Sequence, residues 1–155
     1  VLPFRLGPGR DLPTAPQALF ERLGDLREIA AVHERAMQAH RDGDVDALLA
    51  DTAESGISSG RGQLKASTRD ETRRRLGPYL ERTTFTRYAD VVAPIVTVSH
   101  DGTLGWVACE MEARGEQRTE TGASEELEFG YTWVELLAKQ DGRWWRIGNA
   151  SSPRP

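Results

Sequence analysis

The spacing of apolar residues changes once along this chain, near Thr84, and that change limits the fold more than any motif does. Before it, Leu26, Ile29, Ala30, His33, Met37 and His40 recur at steps of three and four, the signature of one helical face. After it the pattern alternates, as half-buried strands do. Asp25 and Glu28 have capping-box spacing, which predicts a helix opening at Asp25 and ending at Gly43. Asp44 caps a shorter helix carrying Val45, Leu48 and Leu49. Thr68-x-x-Glu71 opens a third that runs toward Glu81, with a bend expected at Gly77-Pro78. The Gly/Ser-rich stretch 56–65 reads as an irregular strand and a turn. Strands are predicted over 85–99 (interrupted at Pro94), 104–114, 127–139 and 144–150. His100-Asp101-Gly102 and Asp141-Gly142 supply hairpin turns, and 115–125 reads as a polar loop. Helices first and antiparallel strands last make the class α+β.

Residues 1–17 hold four of the eight prolines, so 1–24 read as an extended arm with a short helix over Gln17–Leu23. One domain is expected over 25–152, followed by a tail at 153–155; 155 residues suit a single core. The net charge is −4, which argues against nucleic acid and anionic membranes as partners. No stretch reaches the roughly 18 apolar residues of a membrane span. The chain begins at Val1 rather than Met, which leaves the compartment, cytoplasmic or exported, undecided. Arg73-Arg74-Arg75 point in three directions around a helix and form no basic stripe. Gly60-Arg61-Gly62 lacks the strand-then-helix setting of a phosphate loop, and no cofactor motif is present.

Both faces of the late strands carry apolar residues. Trp106, Ala108, Glu110 and Glu112 share one face of their strand, and Val107, Cys109, Met111 and Ala113 the other. Phe129, Tyr131, Trp133, Glu135 and Leu137 likewise share a face of the next strand. Helices cover one side of such a sheet, and a second copy of the chain is the simplest cover for the other.

Four ordered segments resemble a known family: G-D-V-D-A-L-L-A (Gly43–Ala50), T-R-D-E-T-R (Thr68–Arg73), A-P-I-V-T-V-S-H-D-G-T-L-G-W-V (Ala93–Val107) and G-R-W-W-R-I-G-N-A-S-S (Gly142–Ser152). Over residues 25–152 the chain is similar to the nuclear transport factor 2-like superfamily, and within it to SnoaL-like and DUF4440-type bacterial proteins. The resemblance implies a cone: a curved antiparallel sheet wrapped on about three helices, with a pocket between them. It also implies a homodimer through the sheet. Members include isomerases, dehydratases, cyclases, epoxide hydrolases and non-catalytic modules, so the fold does not fix the function. The tyrosine that ketosteroid-isomerase-like members place on the first helix falls here at Ala36. Their carboxylate base falls at Ile57 or its neighbours Gly56 and Ser58. None of these can do that chemistry.

Other residues suit a pocket. His33 and His40 lie in the apolar stripe of the first helix, as a base, a ligand donor or satisfied core histidines. Seven residues apart, they are roughly 10.5 Å from each other, too far to share a metal ion. Lone Cys109 makes no zinc site by itself, so no metal is expected. Glu110, with Glu112 and Glu135, sits mid-strand, either poised as an acid–base group or paired with Arg87, Arg114 or Arg146. Trp106, Tyr131 and Trp133 offer pocket or interface walls, and Asn149 a hydrogen-bonding group near the end of the last strand. The leading expectation is a dimeric domain binding a small hydrophobic molecule, without an identifiable catalytic set. The alternatives are a lyase, isomerase or hydrolase using His40 or Glu110 as base and Tyr131 to orient the substrate, and a dimeric protein-interaction module.

Overall fold

The change of periodicity separates two layers. The computed structural model describes residues 15–155; the proline-rich stretch at 1–14 lies outside them. The order is α1 (Ala15–Asp42), α2 (Val45–Leu49), β1 (Thr52–Gly60), β2 (Gln63–Thr68), α3 (Arg69–Arg82), β3 (Thr83–Asp90), β4 (Ile95–Val98), β5 (Leu104–Arg118), β6 (Ser124–Gln140) and β7 (Arg143–Pro153). The strands form one sheet in the order β2-β1-β7-β6-β5-β3, with β4 also on β5. The result is the expected α+β class, a curved open sheet packed on N-terminal helices.

Four expectations need correction. First, the helix does not open at Asp25. α1 is continuous from Ala15, passing through Gly24, which carries no left-handed cap conformation. Asp25 is buried instead, accepting hydrogen bonds from Lys139 Nζ at 2.6 Å and Trp144 Nε1 at 3.0 Å. Its partners lie more than a hundred residues away, so local spacing mimicked a cap. Second, 56–65 is a regular hairpin: β1 and β2 turn at Arg61 (φ 50°) and Gly62 (φ 74°). Asp141 (φ 51°) and Gly142 (φ 76°) make the same turn between β6 and β7. Two successive positive-φ residues match the sheet's twist, and Arg stands where Asn or Asp is usual. Third, residues 115–125 are mostly strand. The β5–β6 ladder runs on to Arg118↔Ser124, with polar side chains where there is no core beneath. Fourth, one pairing is parallel, β1 with β7. These strands are far apart in the chain, so no hairpin fixes their direction.

α3 shows the expected capping box, with Thr68 Oγ1 accepting from the Glu71 amide at 3.2 Å and the Glu71 carboxylate from the Thr68 amide at 2.8 Å. It continues past Pro78 to Arg82. The bond that Pro78 cannot make would have gone to the carbonyl of Arg74, on the exposed side. Arg73 reaches Asp46 on α2, whereas Arg75 faces the interior hollow, so the three arginines do diverge.

The core sits between α1 and the sheet. Ile29 and Val32 meet Val98, Val107, Leu137 and Trp144. Ala36 and Ala39 meet Leu48 and Leu80. Met37 meets Tyr88, Met111 and Ala113. Ala30, expected on this face, is exposed, and Val32 and Ala36 take its place. This packing fills one end of the cone and leaves the other end hollow.

Candidate functional site

The strand register decides what the hollow contains. Cys109 pairs with Trp133, Met111 with Tyr131 and Val107 with Glu135, so all six side chains share the face turned toward α1. Glu135 in turn pairs with Asn149, and Trp133 with Ser151, on β7. β1 and β2 bring Ser58 and Lys65 to the same side. The hollow between this concave face, α1 and α3 has a volume of about 480 Å³. Met37, Leu48, Leu49, Tyr88 and Trp133 form apolar walls.

The floor is polar. His33, 3% exposed, places Nε2 at 2.9 Å from Asp90 Oδ2 and 3.2 Å from Oδ1. Asp90 ends β3, so helix and strand are tied beneath the cavity. Glu135 lies 3.5 Å from Arg146 Nη1. Burial raises its carboxyl above the usual carboxylate range, and the opposing charge of Arg146 only partly offsets this. Arg146 also donates to Thr52 Oγ1 at 2.8 Å and to the Leu48 carbonyl. His40 donates from Nδ1 to the Ala36 carbonyl at 2.8 Å and stacks on Tyr88 with ring centroids 4.3 Å apart. Burial lowers its pKa to about 4, against the pull of that hydrogen bond and with help from Arg146. With Nδ1–H engaged, the neutral ring keeps Nε2 as a lone-pair acceptor.

His33, Asp90 and Cys109 each bring one donor atom within 4.8 Å of the others, the spacing a bound cation would need. Their chemistry fits less well than their spacing. Burial and the neighbouring carboxylates of Asp90 and Glu135 push the thiol up to about 12, and His33 and Asp90 already satisfy each other. As it stands, the cluster is a hydrogen-bonded pair beside a protonated thiol.

The structure divides the sequence-predicted residues. His33, His40, Tyr131, Trp133 and Asn149 all line the hollow. Glu110 and Trp106 do not, and the expectation that they line the pocket is corrected. Val107, Cys109, Met111 and Ala113 occupy the helix-facing positions of β5, so two-residue periodicity turns Trp106 and Glu110 to the convex side. Glu110 is ion-paired there with Arg154, and Glu112 with Arg87. The two like charges of β5 are thus each neutralised by a separate arginine. Among the mid-strand glutamates it is Glu135 that reaches the cavity, on the same face as Tyr131 and Trp133. Asp90 was missed, because its role depends on contact with a helix 57 residues earlier. Arg61, Lys65 and Arg75 also line the hollow, and nothing in their local sequence signals it.

The SnoaL-like domain family matches residues 29–152. The chain belongs to that family. No curated protein has a sequence significantly similar to it. Solved structures agree on the fold. A ketosteroid isomerase-like protein from Erwinia carotovora atroseptica is 21% identical, with a TM-score of 0.65 over 84% of this chain and 97% of that one. A nuclear transport factor 2-like protein from Cytophaga hutchinsonii is 15% identical, with a TM-score of 0.63 over 81% and 95%. A function-unknown protein from Mycobacterium tuberculosis is 17% identical, with a TM-score of 0.64 over 91% and 78%. At these identities the likeness is one of fold, and this SnoaL-like domain's chemistry has to come from its own cavity. The resemblance puts the isomerase tyrosine at Ala36 and the carboxylate base at Ile57 or its neighbours Gly56 and Ser58, and none of these is a tyrosine or a carboxylate.

Proposed function

We propose that this SnoaL-like domain binds a small, largely apolar molecule in the hollow of the cone. The observation behind this reading is a cavity of about 480 Å³ with apolar walls and a few convergent polar groups on its floor. That combination is typical of small-molecule sites. 1-Octanol serves as a generic probe. It is expected to raise the melting temperature of the native chain but not of Ser58→Trp, which puts a large ring into the hollow from β1. Equal shifts in both proteins would refute the reading.

A second reading, an acid–base enzyme, draws on Glu135. Its carboxylate is buried beside Arg146, with its proton affinity raised, as a general base requires. Glu135 therefore replaces Glu110 as the candidate base. The probe is 5-nitrobenzisoxazole, whose ring opens when a base removes one proton. The native chain should accelerate that opening and Glu135→Gln should not. No acceleration over buffer contradicts the enzyme reading and leaves ligand binding standing.

The convex face supports a homodimer. Ile95 (66% exposed), Leu104, Trp106, Val134 and Leu136 lie uncovered there on adjacent strands. A contiguous apolar area of this kind marks an interaction surface. Our proposal is that it meets the same surface of a second copy.

A further inference from the structure

The ionisable side chains around the hollow are unbalanced. The chain as a whole carries 20 basic and 24 acidic residues. The cavity lining nevertheless includes Arg61, Lys65, Arg69, Arg75 and Arg146 against one carboxylate, Glu135. Two of those cations are already spoken for. Arg146 pairs with Glu135, and Arg69 faces Glu54 at 3.7 Å. The remaining three are not. Among the described residues, Arg61, Lys65 and Arg75 are ion-paired to no carboxylate.

Each reaches the mouth from a different element. Arg61 is the first residue of the β1–β2 turn, and its guanidinium donates to the Tyr131 hydroxyl, 5.9 Å from the ring centroid. That bond holds the side chain over the opening while most of its five N–H donors stay available. Lys65 pairs with Ser58 in the β1–β2 register and so projects from the concave face. Arg75 lies on the face of α3 that also presents Thr72 to the hollow, in line with the N-cap residue Thr68 at three- and four-residue steps. Lys65 feels the Glu71 carboxylate nearby, but none of the three is ion-paired, and cations gathered at one opening repel one another unless an anion joins them. The walls behind them are apolar.

We propose that the ligand is an amphipathic anion, with a carboxylate or phosphate head held by Arg61, Lys65 and Arg75 and an apolar body inside the cone. The proposal rests on the pocket reading above and names the class of molecule the pocket takes. Guanidinium groups suit both heads, because their N–H forks match carboxylate and phosphate oxygens.

Four octyl compounds share one tail and differ in head: octanoate, octyl phosphate, 1-octanol and octylamine. Calorimetric titration of the native chain should rank an anion first and octylamine last. Three cations at a partly screened mouth give the better anion a lead over octanol of about tenfold or more. Raising the salt from about 0.05 M to about 0.5 M should weaken the anions alone. Whichever of octanoate and octyl phosphate binds more tightly identifies the head. In the triple variant Arg61→Gln, Lys65→Gln, Arg75→Gln, the anion should fall to the affinity of octanol, with octanol itself unchanged. All three positions are exposed, and an unchanged octanol affinity also reports an intact fold. Equal affinities of the native chain for octanol and both anions would overturn the proposal and leave the pocket intact. A preference that survives in the triple variant would overturn it too. If none of the four binds, the pocket reading fails and this proposal goes with it.

Discussion

The two faces of the sheet are built from the same strands and differ in nearly everything else. On β6, Leu137 is fully buried, while Leu136 beside it is 46% exposed. On β5, Met111 is fully buried, and Glu110 beside it holds Arg154 at the surface. The concave face adds buried ionisable groups to its apolar ones: Glu135 with Arg146, and His33 with Asp90. The convex face pairs its charges near the surface, Glu110 with Arg154 and Glu112 with Arg87, and leaves aliphatic side chains uncovered. Burying charge is costly unless it is paired, and both concave pairs meet that condition. The convex arrangement asks only for an apolar cover.

Substitutions of adjacent residues sharpen this contrast. Leu137→Ala should destabilise the domain by about 2–5 kcal/mol, because it opens a void in close-packed core. Leu136→Ala should cost under about 1 kcal/mol in denaturant unfolding of a monomeric sample. Equal losses would mean that the faces are wrongly assigned. Leu136→Lys with Val134→Lys puts two charges on the convex face. Light scattering should then show half the native mass, and a native chain that is already monomeric would remove the dimer proposal.

A smaller effect is expected from pH. His40 is neutral in the folded chain down to about pH 4, whereas the unfolded chain takes up that proton near 6.5. Between those values the unfolded state binds more protons, so stability is complete above about pH 6.5 and declines as pH falls toward 4. Imidazole signals of His40 in NMR spectra should stay fixed from pH 8 to 5. Titration of His40 within that range would show that its ring is not buried on the concave side.

Much of the contrast could be read from alternation alone. Val107, Cys109, Met111 and Ala113 share one parity, and Tyr131, Trp133 and Glu135 share one on the next strand. Periodicity does not say which parity faces the helices, and that is why Glu110 looked as eligible as Glu135. What stayed hidden depends on long-range contact. Asp25 resembled a helix cap until Trp144 and Lys139 folded onto it. Asp90 acquires its role from His33, and Arg61, Lys65 and Arg75 meet only because β1, β2 and α3 surround the same opening. A turn is expected within 56–65, but its place at Arg61-Gly62 is not legible, because a large side chain at positive φ is uncommon.

The tryptophans report on both faces at once: Trp133 lines the hollow, and Trp106 lies on the convex side. Adding 1-octanol to protein labelled with ¹⁵N in its indole nitrogens should shift the Trp133 signal in a saturable manner and leave Trp106 unmoved. A saturable shift at Trp106 with Trp133 unchanged would place the binding surface on the wrong side of the sheet and contradict the account.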